Sequence, residues 1–168
     1  ITISSTISNF FNTKPPYAAY FAEDFSGNTI PNYIKNGRDA TTTGTIIKTT
    51  TSQDTYGFGN ANFPITFITG TPTSTITFGT GTIPPTFTIL SYTRYNGGTR
   101  ARILTSKTTG NWLHGHWGGN RGSTHYNDNF KSSGTNTSPD NWVCVIGKNS
   151  GSTPGNILID GVASGTAT

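Results

Sequence analysis

His114, Gly115 and His116 put two imidazoles on one face of a strand, because side chains alternate along extended backbone, and His125 lies on the next short strand. Three imidazoles could hold zinc. No acidic or cysteine ligand lies near them in sequence, and Trp112 and Trp117 crowd the motif. Histidines that hydrogen-bond between strands are therefore the better reading, and a ligand-stacking surface shared with the Trp rings is the alternative. Trp112, Trp117, Tyr126 and Trp142 offer rings on which a sugar could stack. Alternation sets Trp112 with His114 and His116 but Leu113 with Trp117, so these two tryptophans lie on opposite faces and at least one belongs to the core. Trp112, His114, His116 and Tyr126 are the candidate glycan contacts. Trp142 alternates with Cys144 and Ile146 and reads as core.

Hydrolytic chemistry has little to draw on. Glycoside hydrolysis needs two carboxylates about 5 to 10 Å apart across the bond. The sole glutamate is Glu23, beside Asp24, and an Asp pair is the remaining option. Cys144 lies mid-strand among apolar neighbours and reads as a packed thiol rather than a nucleophile. Arg94, Arg100, Arg102 and Arg121 gather around the same segment. Arg100 and Arg102 share a face, and Asp128 or Asp160 could pair with them in a structural ion pair. An enzyme is disfavoured, and no cofactor is expected.

Strands must position these residues. A chain of 168 residues supports one domain with a full core. Aromatics at 12% and a net charge of only +4 do not suit a disordered chain. Thr, Tyr, Phe, Ile and Val favour strands, while frequent Gly, Pro, Asn and Ser punctuate them. No segment holds a 3.6-residue apolar period over three turns. The positive charge is scattered without a Lys/Arg run, which argues against nucleic acid as a partner. No run approaches about 18 apolar residues, so no membrane span is expected. The low-charge, Thr/Ser/Asn/Gly-rich surface suits an extracellular or cell-surface protein. One cysteine leaves no internal disulfide, and a chain that starts at Ile1 without Met reads as a mature or trimmed segment.

In order, residues 1–8 alternate, with Ile1, Ile3 and Ile7 on one face, and Pro15-Pro16 makes the exit extended and stiff. Strands are expected at 17–25, 45–49, 65–69 and 74–78. The densest order lies in 86–122. There a strand at 86–95, an Asn96-Gly97-Gly98-Thr99 turn, a returning strand at 100–106 and a third at 111–117 would form the centre of a sheet. Further strands are expected at 123–126, 141–148 and 156–160, the last closed by an Asp160-Gly161 turn, with a final strand beginning at 162. About ten short strands imply a sandwich or jelly roll.

Several phrases then resemble one family. DFSGNTIPNYIKNGRDAT (24–41) resembles the early D-x-SGNGR-x-A-T segment of laminin-G-like, concanavalin-A-like domains, and PTFTILSYTRYNG (85–97) resembles their FT-x-x-x-W-x-R strand. DNWVCVIGK with ILIDGVASGT (140–148, 157–166) is similar to their W-x-x-V…L-Y-V-D-G pair. NWLHGHWGGNRGSTHYN (111–127) is similar to a subgroup found in large microbial and protist surface proteins. The resemblance spans 17–168 and implies an all-β, concanavalin-A-like jelly-roll sandwich of two antiparallel sheets. It does not specify an activity, since the fold hosts lectins, hydrolases and scaffolds. The hydrolases of this superfamily carry an E-x-D-x-x-E strand that is absent here. Calcium is common at the rims of such domains, but Asp24, Asp39, Asp54 and Asp128 are scattered, so calcium stays an option only.

Such domains usually continue past the Asp-Gly hairpin into a closing strand, and this chain stops at Thr168. A missing strand would leave an exposed edge. Residues 1–16, a strand and Pro-rich linker, could cover it in the 17–168 domain or in a neighbouring copy, and head-to-tail donation builds filaments. Asn136-Thr137-Ser138 is an N-glycosylation sequon in a polar loop. The sequence thus favours a glycosylated, non-enzymatic extracellular subunit that assembles with copies of itself. A carbohydrate-binding adhesion module is the alternative, and a glycoside hydrolase comes last.

Overall fold

The computed structural model describes residues 5–35, 37–51, 64–106, 110–126, 129–149 and 157–164. Strand (45%) outweighs helix (6%), so the chain is all-β with several antiparallel sheets. The described residues fall into two compact units, one within Ile1–Gln53 and Asn62–Pro84, the other within Pro85–Thr168.

The first unit begins with helix α1 (Ser5–Thr13), where period-2 alternation suggests a strand. Ile7, Phe10 and Phe11 also fit the i, i+3, i+4 spacing of a helix face, and eight alternating residues cannot decide between the two periods. Ile1 and Ile3 lie outside the described residues. Thr13 Oγ1 donates to the Asn9 and Phe10 carbonyls at 3.2 and 3.0 Å, and Pro15-Pro16 prevents continuation. Phe11 packs on Phe21 and Tyr33, with ring centroids 6.3 and 5.7 Å away. Residues 17–25, expected as a strand, are irregular up to a 3₁₀ turn at Ala22–Asp24.

Next come strands β1 (Thr29–Ile30), β2 (Ala40–Thr43), β3 (Ile46–Thr51), β4 (Ile65–Gly70) and β5 (Thr75–Thr77). They form one sheet of order β1-β2-β5 and a separate β3-β4 pair. The Gly70-Thr71-Pro72 turn therefore joins strands of different sheets. Phe25, Ile30 and Ala40 make a small core with half-buried Tyr20, Ile46, Ile68 and Ile76 around it. Asn32 Oδ1 accepts from the Ala19 and Ile34 N–H groups at 3.1 and 3.2 Å, and Asp39 accepts from the Asn32 N–H at 2.8 Å.

The second unit holds two four-stranded antiparallel sheets. One, of order β13-β12-β11-β6, comprises β6 (Phe87–Thr93), β11 (Val143–Asn149), β12 (Ile157–Ile159) and β13 (Val162–Ala163). The other, of order β10-β9-β8-β7, comprises β7 (Leu104–Thr105), β8 (Leu113–Trp117), β9 (Asn120–Tyr126) and β10 (Asn129–Ser132). The three segments expected to pair in succession are thus split between sheets. Two glycines with positive φ, Gly97 and Gly98, do turn the chain. Beyond them, Arg100-Ala101-Arg102 brings two charges and forms no ladder with β6. Instead β6 pairs along its whole length with β11, Ser91 opposite Val145 and Ile89 opposite Gly147. Both strands alternate in burial, so their inward sets match.

Between the sheets lies one core of Trp112, Tyr126, Val143, Val145 and Ile157, flanked by Phe87, Ile89, Leu104 and Ile159. Each fully buried apolar side chain contributes roughly 1.5–3 kcal/mol. The β12–β13 hairpin turns at Asp160-Gly161, with φ of +53° and +81°, the left-handed pair that a two-residue hairpin loop needs. Asp160 also accepts from the Cys144 N–H at 2.9 Å and pairs with Arg121 at 2.6 Å, both side chains mostly buried. Asp160→Ala should lower the unfolding free energy by about 3 kcal/mol, because it strands the Arg121 charge, loses the Cys144 bond and strains the turn. Asp160→Asn tolerates the turn and keeps the acceptor, so it should cost roughly half as much. Urea titration of both variants measures the difference.

Candidate functional site

The four candidate glycan contacts are core residues. Trp112 is 9% exposed, Tyr126 1%, and His114 and His116 are at 0%. His114 and Tyr126 share a 2.7 Å hydrogen bond between Nδ1 and the hydroxyl, and both rings stack with Trp112. His116 meets Thr93 Oγ1 through Nδ1 at 3.3 Å and packs edge-on against Tyr95. This interstrand hydrogen-bonding role corrects the ligand-stacking alternative: a ring sealed between two sheets cannot touch a sugar. Burial pushes the His114 imidazole down to about 4, opposed only by the Val145 backbone, which faces the ring without closing a bond of good geometry. Burial first, then the neighbouring His114 and Arg121, lowers His116 to about 4. Burial raises the Tyr126 phenol, so it stays an O–H.

His125 is opposite Leu113 in the β8–β9 ladder, on the other face of the sheet from His114, so the three imidazoles do not converge. Among the described residues no group of three His, Cys, Asp or Glu could hold a metal ion. Asp24 and Asp39 belong to the first unit, with Asp39 used by Asn32; Asp54 and Asp128 lie outside the described residues. The arginine pairs also differ from expectation: Arg100 pairs with Asp140 at 2.7 Å, and Arg121, not Arg100 or Arg102, takes Asp160. Burial, then the Asp160 charge, raises the Cys144 thiol, which opposes a thiolate role. Asn136 is exposed, in a segment tied down by the Arg121–Thr135 bridge and by Arg121 Nε donating to the Thr137 carbonyl at 3.3 Å.

The outer face of the β10-β9-β8-β7 sheet offers what the buried set does not. A cup of about 160 Å³ is lined by Arg102, Asn111, Leu113, Trp117, Ser123, Thr124, His125 and Ser132. Trp117, at the end of β8, is 56% exposed. Arg102 Nη2 donates to Asn111 Oδ1 at 2.7 Å, and His125 Nδ1 donates to the Asn111 carbonyl at 2.8 Å. These bonds fix an amide, a guanidinium and an imidazole beside the open indole. The volume is below the roughly 300–1,000 Å³ of drug-sized sites and suits one small polar ring. A second, open groove of about 770 Å³ in the first unit runs along Phe11, Pro15, Pro31 and Tyr33, but its aromatic rings pack on one another.

Trp117 carried a usable signal. The alternation that sends Trp112 inward sends Trp117 outward, to the face where a ligand can reach. The nearness of Arg102 and Asn111 to it depends on an irregular connection that periodicity does not describe.

Fold and site together define an all-β protein with a sandwich-like second unit that presents an aromatic–guanidinium–amide cup. Comparison of the chain with family models, curated proteins and solved structures returned no match.

Proposed function

We propose that this chain is a non-enzymatic carbohydrate-binding module of an extracellular or cell-surface protein. One observation carries the reading: the Trp117 indole, 56% exposed, lies in a concave lining with Arg102, Asn111 and His125. An aromatic face takes the apolar side of a sugar ring, and a few fixed polar groups set its orientation. A sole glutamate, Glu23, supports the non-enzymatic part. The laminin-G-like, concanavalin-A-like jelly roll remains the proposed parent architecture, supported by the two stacked sheets of the second unit. An N-glycan on exposed Asn136 belongs to the same reading. Trp117→Ala should lower affinity for bound oligosaccharide at least tenfold without changing thermal stability. Loss of stability with unchanged sugar retention would refute the role of this residue.

Self-assembly is a second reading. Donation of residues 1–8 as a strand needs extended backbone, and the chain is helical from Ser5. Association is instead supported by the outer face of the β6 sheet, where Leu90, Ile146, Leu158 and Ala163 are in cross-strand register. Leu90 is 63% and Leu158 37% exposed there, and contiguous exposed apolar surface marks interaction sites. Sedimentation of Leu90→Glu beside the parent chain checks it: oligomers lost in the variant support association through this face, and a parent chain that is monomeric throughout refutes it.

A further inference from the structure

We infer that the cup selects acidic sugars, with Arg102 receiving the carboxylate of a uronic acid residue whose ring rests on Trp117; this rests on the carbohydrate-binding reading. A census of the five arginines carries the inference. Arg100 and Arg121 are each neutralised by an aspartate. Arg38 lies over the Tyr17 ring at 4.8 Å, and Arg94 lies over Trp142 at 5.5 Å while donating to the Tyr95 carbonyl. Among the described residues, Arg102 is the arginine that lines the cup. There it donates to one neutral acceptor, Asn111 Oδ1, and among the described residues no carboxylate lines the cup. A half-buried guanidinium with no counter-charge among the described residues, in a depression open to solvent, holds N–H donors in a planar fork. That fork can take a carboxylate through two parallel N–H···O bonds. Asn111 and His125 fix the position of the fork rather than neutralising it, since one offers an amide oxygen to Arg102 and the other donates to the Asn111 backbone.

Calorimetric titration of the 168-residue chain with a galacturonate trisaccharide, its neutral galactose counterpart and a sulfated galactose trisaccharide tests this. The uronate should bind about tenfold tighter than the neutral sugar at low salt, and the advantage should shrink as salt rises. Arg102→Gln should erase that advantage, so that the variant binds the uronate and the neutral sugar alike. Arg102→Lys, which keeps charge but not the fork, should retain only part of it. Equal affinity for uronate and neutral sugar, or a preference for the sulfated one, would overturn acidic-sugar selection and leave carbohydrate binding standing. Absence of binding to all three would overturn both.

Discussion

Acidification from pH 7 to pH 4 should remove much of the stability of the second unit. His114 and His116 are fully enclosed and held down to about 4, whereas an unfolded histidine titrates near 6.5. The folded state therefore favours the neutral rings. Their contribution is intact above about pH 6.5 and is lost as pH falls toward 4, because the unfolded chain takes up protons that the folded one refuses. Each ring is worth on the order of 3 kcal/mol over that window. The two are not independent, since His114 itself disfavours charge on His116. The expected loss, about 5 kcal/mol, is comparable to the whole stability of a small domain. The His116 Nε2 atom has no hydrogen-bond partner among the described residues, which adds to the cost. Urea melts at pH 7, 5.5 and 4.5 should show a steep decline that flattens in His114→Phe/His116→Phe. A flat profile in the parent chain would remove the histidines from the account.

Gly147→Ala should be strongly damaging for a change of one methyl group. A Cβ there would overlap the Tyr126 hydroxyl and crowd Ile157 Cδ1 at 3.1 Å. The hydroxyl cannot yield freely, since it bonds His114 Nδ1 at 2.7 Å within the core. Overpacking of this kind costs about 1–3 kcal/mol, and breaking the buried bond adds about 1–3 kcal/mol more. The resulting fall in Tm is on the order of 10 °C. Tyr126→Phe removes the clashing atom, so the double variant Gly147→Ala/Tyr126→Phe should be less destabilised than the sum of the two single changes. Strict additivity would show that the clash is relieved elsewhere.

Strands and turns whose signals are local are the most legible in the sequence. Residues 46–51, 65–70 and 143–149 alternate or carry β-branched runs, and Asp160-Gly161 names its own turn. Strand partners are the least legible. The Asn96–Thr99 turn suggests that 86–95 pairs with the adjacent segment at 100–106, yet β6 finds β11 some fifty residues later. That choice depends on which inward set fits Phe87, Ile89 and Ser91, and Arg100-Ala101-Arg102 does not. The division into two compact units is equally hidden, because two small cores draw on the same residue types as one large one. For the site, parity along one strand sorts Trp112 from Trp117 correctly. The inward set, densest in functional residue types, masks the tryptophan that solvent can reach.

The most direct test tracks the three indole N–H resonances during titration of the labelled chain with an acidic oligosaccharide. Trp117 is open, while Trp112 and Trp142 are 9% and 7% exposed. Binding at the cup requires a saturable shift of the Trp117 signal with the other two unmoved. Shifts confined to Trp112 or Trp142, or no shift at millimolar sugar, would contradict it.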